Sequence, residues 1–235
     1  MPVGRMLSIL AVTATIGAGP AIAEAQTQTA NAGKPEVFEE FSDVNIIGGR
    51  KMLYRDFARI SKWERVRPEI DANAKIEDPK VARWVSWARG LRDLAPIERL
   101  RAIHDGVQQK FRYVTDTTNW NQPDYWETPE EIVERGAMDC EGFAIFKFFL
   151  AVHAGIDPET LIVLAGVIPS TREGHAVLVT RTRDGERDSF HILDNRLRHM
   201  LAIEDADDIV AAFSVDPDRY LVYLPNKNRR PVAAR

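Results

Sequence analysis

Apolar residues recur at a helical period through the first half of the chain and at a strand period through the second. Asp78-Pro79 opens a stretch in which Val81, Trp84, Val85, Ala88 and Leu91 fall on one helical face. Pro96 stands in the first turn of another, whose apolar stripe is Ile97, Leu100, Ile103, Val107 and Phe111. A shorter helix is expected over Tyr54 to Trp63, and Thr128-Pro129-Glu130-Glu131 reads as a helix start capped by Thr128. Phe143 to Val152 is apolar on more than one side and stops at Gly155, which predicts a central buried helix with a left-handed glycine at its end. Trp63, Trp84 and Trp87 belong to this packing.

From Leu161 the period changes. Leu161 to Val167 is a continuous, β-branched apolar run that fits an interior strand. Ala176 to Thr180 and Phe190 to Leu193 flank Asp184-Gly185, a two-residue hairpin signal. A turn at those two residues sets Arg183 opposite Glu186, Arg181 opposite Asp188, Val179 opposite Phe190, Val177 opposite Ile192 and His175 opposite Asp194. The other face then pairs Thr182 with Arg187 and Thr180 with Ser189, as a solvated side would. The fold class is α+β: a helical N-terminal half packed on an antiparallel sheet.

The ends carry little of this pattern. Arg5 precedes an uncharged stretch from Met6 to Ala23, with an apolar core over Leu7 to Val12 and small residues at Ala21 and Ala23. That is the layout of a cleavable signal peptide over residues 1–23, so export to the periplasm is expected, with the mature chain starting near Glu24. Residues 24–36 read as a flexible polar leader, 37–226 as one domain, and 227–235 as a basic tail containing Lys227, Arg229, Arg230 and Arg235. About 200 residues suffice for one domain with a real core. A net charge of −4, with basic residues scattered among acidic ones, gives no attraction for nucleic acid. No repeat, phosphate-cradling glycine loop or His/Cys metal spacing is present.

Composition then singles out Cys140, the only cysteine. An unpaired thiol in an exported chain calls for a reason, and a place in the first turn of a helix supplies one, because the helix dipole favours a thiolate. Cys140 is therefore expected to be accessible and partly ionised. His175 lies at a strand end after Gly174 and opposite Asp194, which makes it the candidate base, whereas His104, His153, His191 and His199 belong to no such arrangement. The backbone N–H of Cys140 is the candidate oxyanion donor. Trp120 and Trp126, in the aromatic loop from Asn119 to Glu127, are candidates for a substrate wall.

Taken together, Asp124-Tyr125-Trp126, Thr128-Pro129, Glu131, Asp139-Cys140-Glu141, His175 with Val177, and Leu193-Asp194-Asn195 resemble the bacterial transglutaminase-like cysteine proteinases, which include periplasmic proteases of the LapG type. The resemblance runs from about Trp84 to Tyr223. It implies a papain-like, transglutaminase-like core and a Cys140-His175-Asp194 triad. It also implies cleavage of a large surface adhesin, with biofilm release held in check by an inner-membrane cyclic-di-GMP receptor that sequesters the enzyme. Calcium is implied as well, bound by Asp139 and Glu141, and no organic cofactor. Two departures stand out: the usual Gly-Asp-Cys-Glu-Asp reads Met138-Asp139-Cys140-Glu141-Gly142, losing one acid, and Ala176 replaces the usual methionine. Without calcium, Asp139 is a helix cap and Glu141 a first-turn acid favoured by the dipole. The same triad serves a transglutaminase or a peptidoglycan amide hydrolase if the acceptor or substrate differs, and a binding module if the chemistry has been lost.

Overall fold

The computed structural model of the protein describes residues 50–54, 57, 60–184, 187–206 and 208–224. The expected signal peptide, leader and basic tail lie outside these residues. Six helices are described: α1 (Ser61–Val66), α2 (Pro79–Arg89), α3 (Pro96–Lys110), α4 (Asp116–Trp120), α5 (Pro129–Arg135) and α6 (Cys140–His153). Their starts follow the local signals. Asp78 Oδ1 accepts from the amides of Lys80 and Val81 at 2.6 and 2.9 Å, and Thr128 with Glu131 forms a complete capping box on α5.

The strands are β1 (Arg50–Tyr54), β2 (Arg112–Tyr113), β3 (Ala137–Met138), β4 (Leu161–Ile168), β5 (Glu173–Asp184), β6 (Arg187–Leu193), β7 (Leu201–Ala202), β8 (Val210–Val215) and β9 (Tyr220–Leu224). Seven form one antiparallel sheet in the order β1-β9-β8-β4-β5-β6-β7, while β2 and β3 make a short parallel pair. Interior β4, between β5 and β8, explains the unbroken apolar run. Its Leu161 and Val163 face the helices with Leu178, Leu193 and Val215, whereas Ile162 and Leu164 join Val177, Val179 and Ile192 on the other face, covered by Ile203, Ala206 and Ile209.

The helix expected over Tyr54 to Trp63 is corrected. Tyr54 ends strand β1, which pairs with β9 and brings the Tyr54 and Tyr220 rings to 5.5 Å, and the helix starts only at Ser61. The hairpin register is corrected too. Arg183 pairs with Asp188 and Asp184 with Arg187, so the register is displaced by two residues and Val179 meets Ile192, not Phe190. A displacement of two keeps every side chain on its expected face. What it gains is a two-point ion pair from Arg183 Nε and Nη2 to Asp188, at 2.8 and 3.0 Å. Thr180, expected in solvent, is fully buried because helices cover that face.

Helix α6 is the hub. All 14 of its residues are buried, between α2, α3 and α5 on one side and β4 and β5 on the other, and Gly155 follows it at φ +80°. Lys147 interrupts its apolar middle: the fully buried Nζ donates to the Leu193 carbonyl at 3.3 Å and lies 5.5 Å from the Phe143 ring centre. Burial lowers its pKa to about 7, against the pull of Asp194. The unfolded chain therefore holds one more proton than the folded one between about pH 7 and 10.5, and stability should rise across that window by up to about 1.4 kcal/mol per pH unit. Urea titrations from pH 6 to 10 should show that slope in the wild type and lose it in Lys147→Met; equal slopes would contradict it.

Candidate active site

The β2–β3 pair sets up the entry to α6. Val114 donates to the Met138 carbonyl at 3.0 Å, and Asn119 Nδ2 to the Ala137 carbonyl at 3.0 Å, so the segment from Asp116 to Glu127 is laid against the start of α6. Cys140 opens that helix, but its environment differs from the expected one. It is 4% exposed, and its S–H donates to Glu141 Oε2 at 3.0 Å. Burial, then the charges of Glu141 and Asp139, push the thiol well above its ordinary pKa, against a backbone N–H at Ala176 directed at the sulfur. The expected exposed, partly ionised thiol is therefore corrected. A helix dipole contributes at most about 2 kcal/mol, whereas full burial can move a pKa by some 3–5 units, or about 4–7 kcal/mol, so desolvation wins.

The Ala176 amide places the sulfur one residue from His175 on β5. His175 Nε2–H donates to Asp194 Oδ1 at 2.9 Å, with both side chains buried. The two residues are in contact as expected, although by a different route. Asp194 stands just past β6, where the observed register carried on by one residue would set it opposite Val177, and it meets His175 along the diagonal. Nε2 is thus engaged, which leaves Nδ1 as the basic ring atom. Arg196 had no signal in the sequence. Its backbone N–H reaches Asp194 Oδ1 at 2.8 Å, its Nε and Nη2 reach Oδ2 at 3.0 and 2.5 Å, and its Nη1 reaches Asp208 at 2.7 Å. Burial alone would raise the Asp194 pKa, but His175 and Arg196 hold it well below the usual carboxylate range.

Beside the thiol lies a cluster of five acids. Asp116, Glu127, Asp139 and Glu141 are buried and Asp124 is half-buried; two triads among them, Asp116-Asp124-Glu141 and Asp116-Glu127-Asp139, have carboxylate oxygens within 4.8 Å of one another. Each of the five has one buried oxygen without a hydrogen-bond partner. Asp139 occupies the N-cap position of α6, yet its side chain caps nothing, which removes the capping reading. Burial, then Glu141, raises Asp116 to about 7; burial, opposed by the Trp120 hydrogen bond and aided by Asp116, raises Glu127 to about 8. Mutually repelling, unsatisfied buried carboxylates are the donor set that an oxygen-seeking divalent cation requires, so the residues present fit calcium. Sequence reasoning reached Asp139 and Glu141, but not Asp116, Asp124 or Glu127 as members of this group.

The aromatic candidates resolve differently. Trp126 is a core residue, edge-on to Trp63 at 6.2 Å and stacked over Phe213 at 6.4 Å, which corrects its placement as a substrate wall. Trp120 is held between the Tyr125 ring and the Arg135 guanidinium, and its indole N–H donates to Glu127 Oε1 at 2.9 Å. It supports the acidic cluster.

The family model of the bacterial transglutaminase-like cysteine proteinases matches residues 91–209, just over half of the chain and all of the site described above. The chain belongs to this family. It is a cysteine peptidase, and Cys140 is its only cysteine. Among solved structures, Legionella pneumophila LapG is 24% identical, with a TM-score of 0.53 over 67% of this chain and 87% of that one. Its calcium-bound form is 25% identical, with a TM-score of 0.50 over 61% of this chain and 79% of that one, and its EGTA-treated form gives 24%, 0.53, 67% and 85%. These likenesses support the transglutaminase-like proteinase fold, a nucleophile-bearing helix packed on an antiparallel sheet. No curated protein sequence matches the chain.

Proposed function

We propose that this proteinase is a cysteine endopeptidase whose triad is Cys140, His175 and Asp194, acting in the periplasm on a cell-surface or envelope protein such as a large adhesin. The observation that carries the reading is the buried His175–Asp194 pair beside the thiol of the only cysteine in a cysteine-peptidase chain. His175 Nδ1 takes the proton from the Cys140 sulfur, and the thiolate attacks the scissile carbonyl carbon. The oxyanion so formed is met by the Cys140 N–H at the start of α6. The imidazolium, held by Asp194, returns its proton to the leaving amine as the C–N bond breaks, leaving a thioester on Cys140. Water, deprotonated by the same Nδ1, cleaves the thioester to a carboxylate and restores the thiol.

Asp116, Asp124, Asp139 and Glu141 would hold calcium. The ion would supply positive charge where buried carboxylates now oppose ionisation of the thiol. The adhesin substrate and the cyclic-di-GMP receptor as sequestering partner rest on the family resemblance of the Asp124–Glu131 and Asp139–Glu141 segments.

The test is mass spectrometry of surface proteins incubated with the protein, with and without added methylamine. The expected product is one new N-terminus paired with a free C-terminal carboxylate, absent with Cys140→Ser. A methylamide in place of the carboxylate would turn the reading to transamidation, and intact surface proteins would remove adhesin-type cleavage.

A further inference from the structure

Gly142 and Glu127 occupy one another's space. Gly142 lies two residues beyond the nucleophile, where the usual family motif carries an acid. A Cβ built there would stand 2.7 Å from Glu127 Oε2 and 2.6 Å from Met138 Cβ, closer than real contacts allow. Glu127 is fully buried, with Oε1 engaged by the Trp120 indole and Oε2 without a partner. Its carboxylate shares the cluster with Asp116 and Asp139, oxygens within 4.8 Å.

We infer that Glu127 is a calcium ligand of this chain, its carboxylate standing in the gap that Gly142 leaves at the start of the nucleophile helix. Three observations converge on it. The side chain costs desolvation that one hydrogen bond does not offset, since a buried carboxylate oxygen without a partner is destabilising. Calcium takes about 6–8 oxygens, more than Asp116, Asp124, Asp139 and Glu141 supply at one apiece, and Glu127 is the further acid within reach of them. Finally, the absence of a side chain at position 142, which Met138 Cβ requires as well, leaves room for the Glu127 carboxylate to stand where it does. Trp120, gripped by Tyr125 and Arg135, fixes the orientation by binding Oε1, so that Oε2 is left for the ion.

The inference rests on the calcium reading, and the test separates the two. Calcium calorimetry and tryptophan-sensitised terbium luminescence are read on the full chain for wild type and Glu127→Gln, with the thermal midpoint in EGTA as a fold control. Wild type should bind, and Glu127→Gln, which keeps the shape, should weaken calcium about tenfold or more without lowering the midpoint in EGTA. If wild type binds no calcium, the calcium reading fails and this inference with it. If wild type and Glu127→Gln bind equally, the calcium site stands and Glu127 is only a structural acid.

Discussion

Asp194→Asn is expected to lower kcat/KM for cleavage by on the order of 10⁴-fold while leaving the fold intact. The reason lies in what Arg196 demands. Its guanidinium has only donors, and two of them meet Asp194 Oδ2, at 2.5 and 3.0 Å. The two charge-assisted bonds on that side outweigh the single neutral bond from the Arg196 backbone N–H to Oδ1, so the asparagine oxygen will be drawn there and the amide NH2 turned toward His175 Nε2. A donor facing Nε2 forces the ring proton onto Nδ1, the atom that must accept the thiol proton, so the imidazole is held in a tautomer that cannot act as the base. The loss should fall on kcat with KM nearly unchanged, because Asp194 is buried and touches no substrate. His175→Ala should cost a similar amount, and the double variant scarcely more, since the two act as one unit. A loss under tenfold for Asp194→Asn would show that His175 is oriented by something else.

The helices that carry the site were legible because their signals are local. Asp78-Pro79, Pro96 and the Thr128/Glu131 box each fix a start within one turn, and α6 reads as buried because nearly every residue in it is apolar. The hairpin was legible in face but not in register. Cross-strand preferences are worth only about 0.2–1 kcal/mol per pair, so a turn signal at Asp184-Gly185 and a shifted register that joins Arg183 to Asp188 are hard to separate beforehand. Strand β1 was missed because its partner β9 lies at the far end of the described chain, where no local pattern records the pairing.

The site divides along the same line. Cys140, His175 and Asp194 could be picked out by residue type and position, whereas the state of the thiol depends on burial and on two carboxylates whose approach only the fold decides. Asp116, Asp124 and Glu127 reach the start of α6 through a ribbon of two-residue strands, too short to show any period. Arg196 is hidden for another reason. An arginine after a strand usually faces water, and nothing in the order Asp194-Asn195-Arg196 says that it closes back on the aspartate.

Stripping calcium with EGTA is expected to lower the thermal midpoint by about 5–10 °C and to slow alkylation of Cys140 by iodoacetamide about tenfold or more. The first figure follows from mass action. An ion at about 100 times its dissociation constant stabilises by about 2.7 kcal/mol, and a chain of this size moves about 2–4 °C per kcal/mol. The second follows from the origin of the raised thiol pKa, in which Glu141 and Asp139 come directly after burial. A divalent cation held by those two acids reverses the field they impose and competes with the Cys140 S–H for Glu141 Oε2, and each 1.4 kcal/mol of that change is worth a factor of ten in thiolate. The two readouts should respond separately to mutation. Asp116→Asn should remove the calcium-dependent midpoint shift and the labelling difference together, whereas His175→Ala should keep the midpoint shift and slow labelling in both conditions. A midpoint and a labelling rate that are the same in calcium and in EGTA would leave the acidic cluster as a structural oddity and separate this chain from a calcium-dependent mode of action.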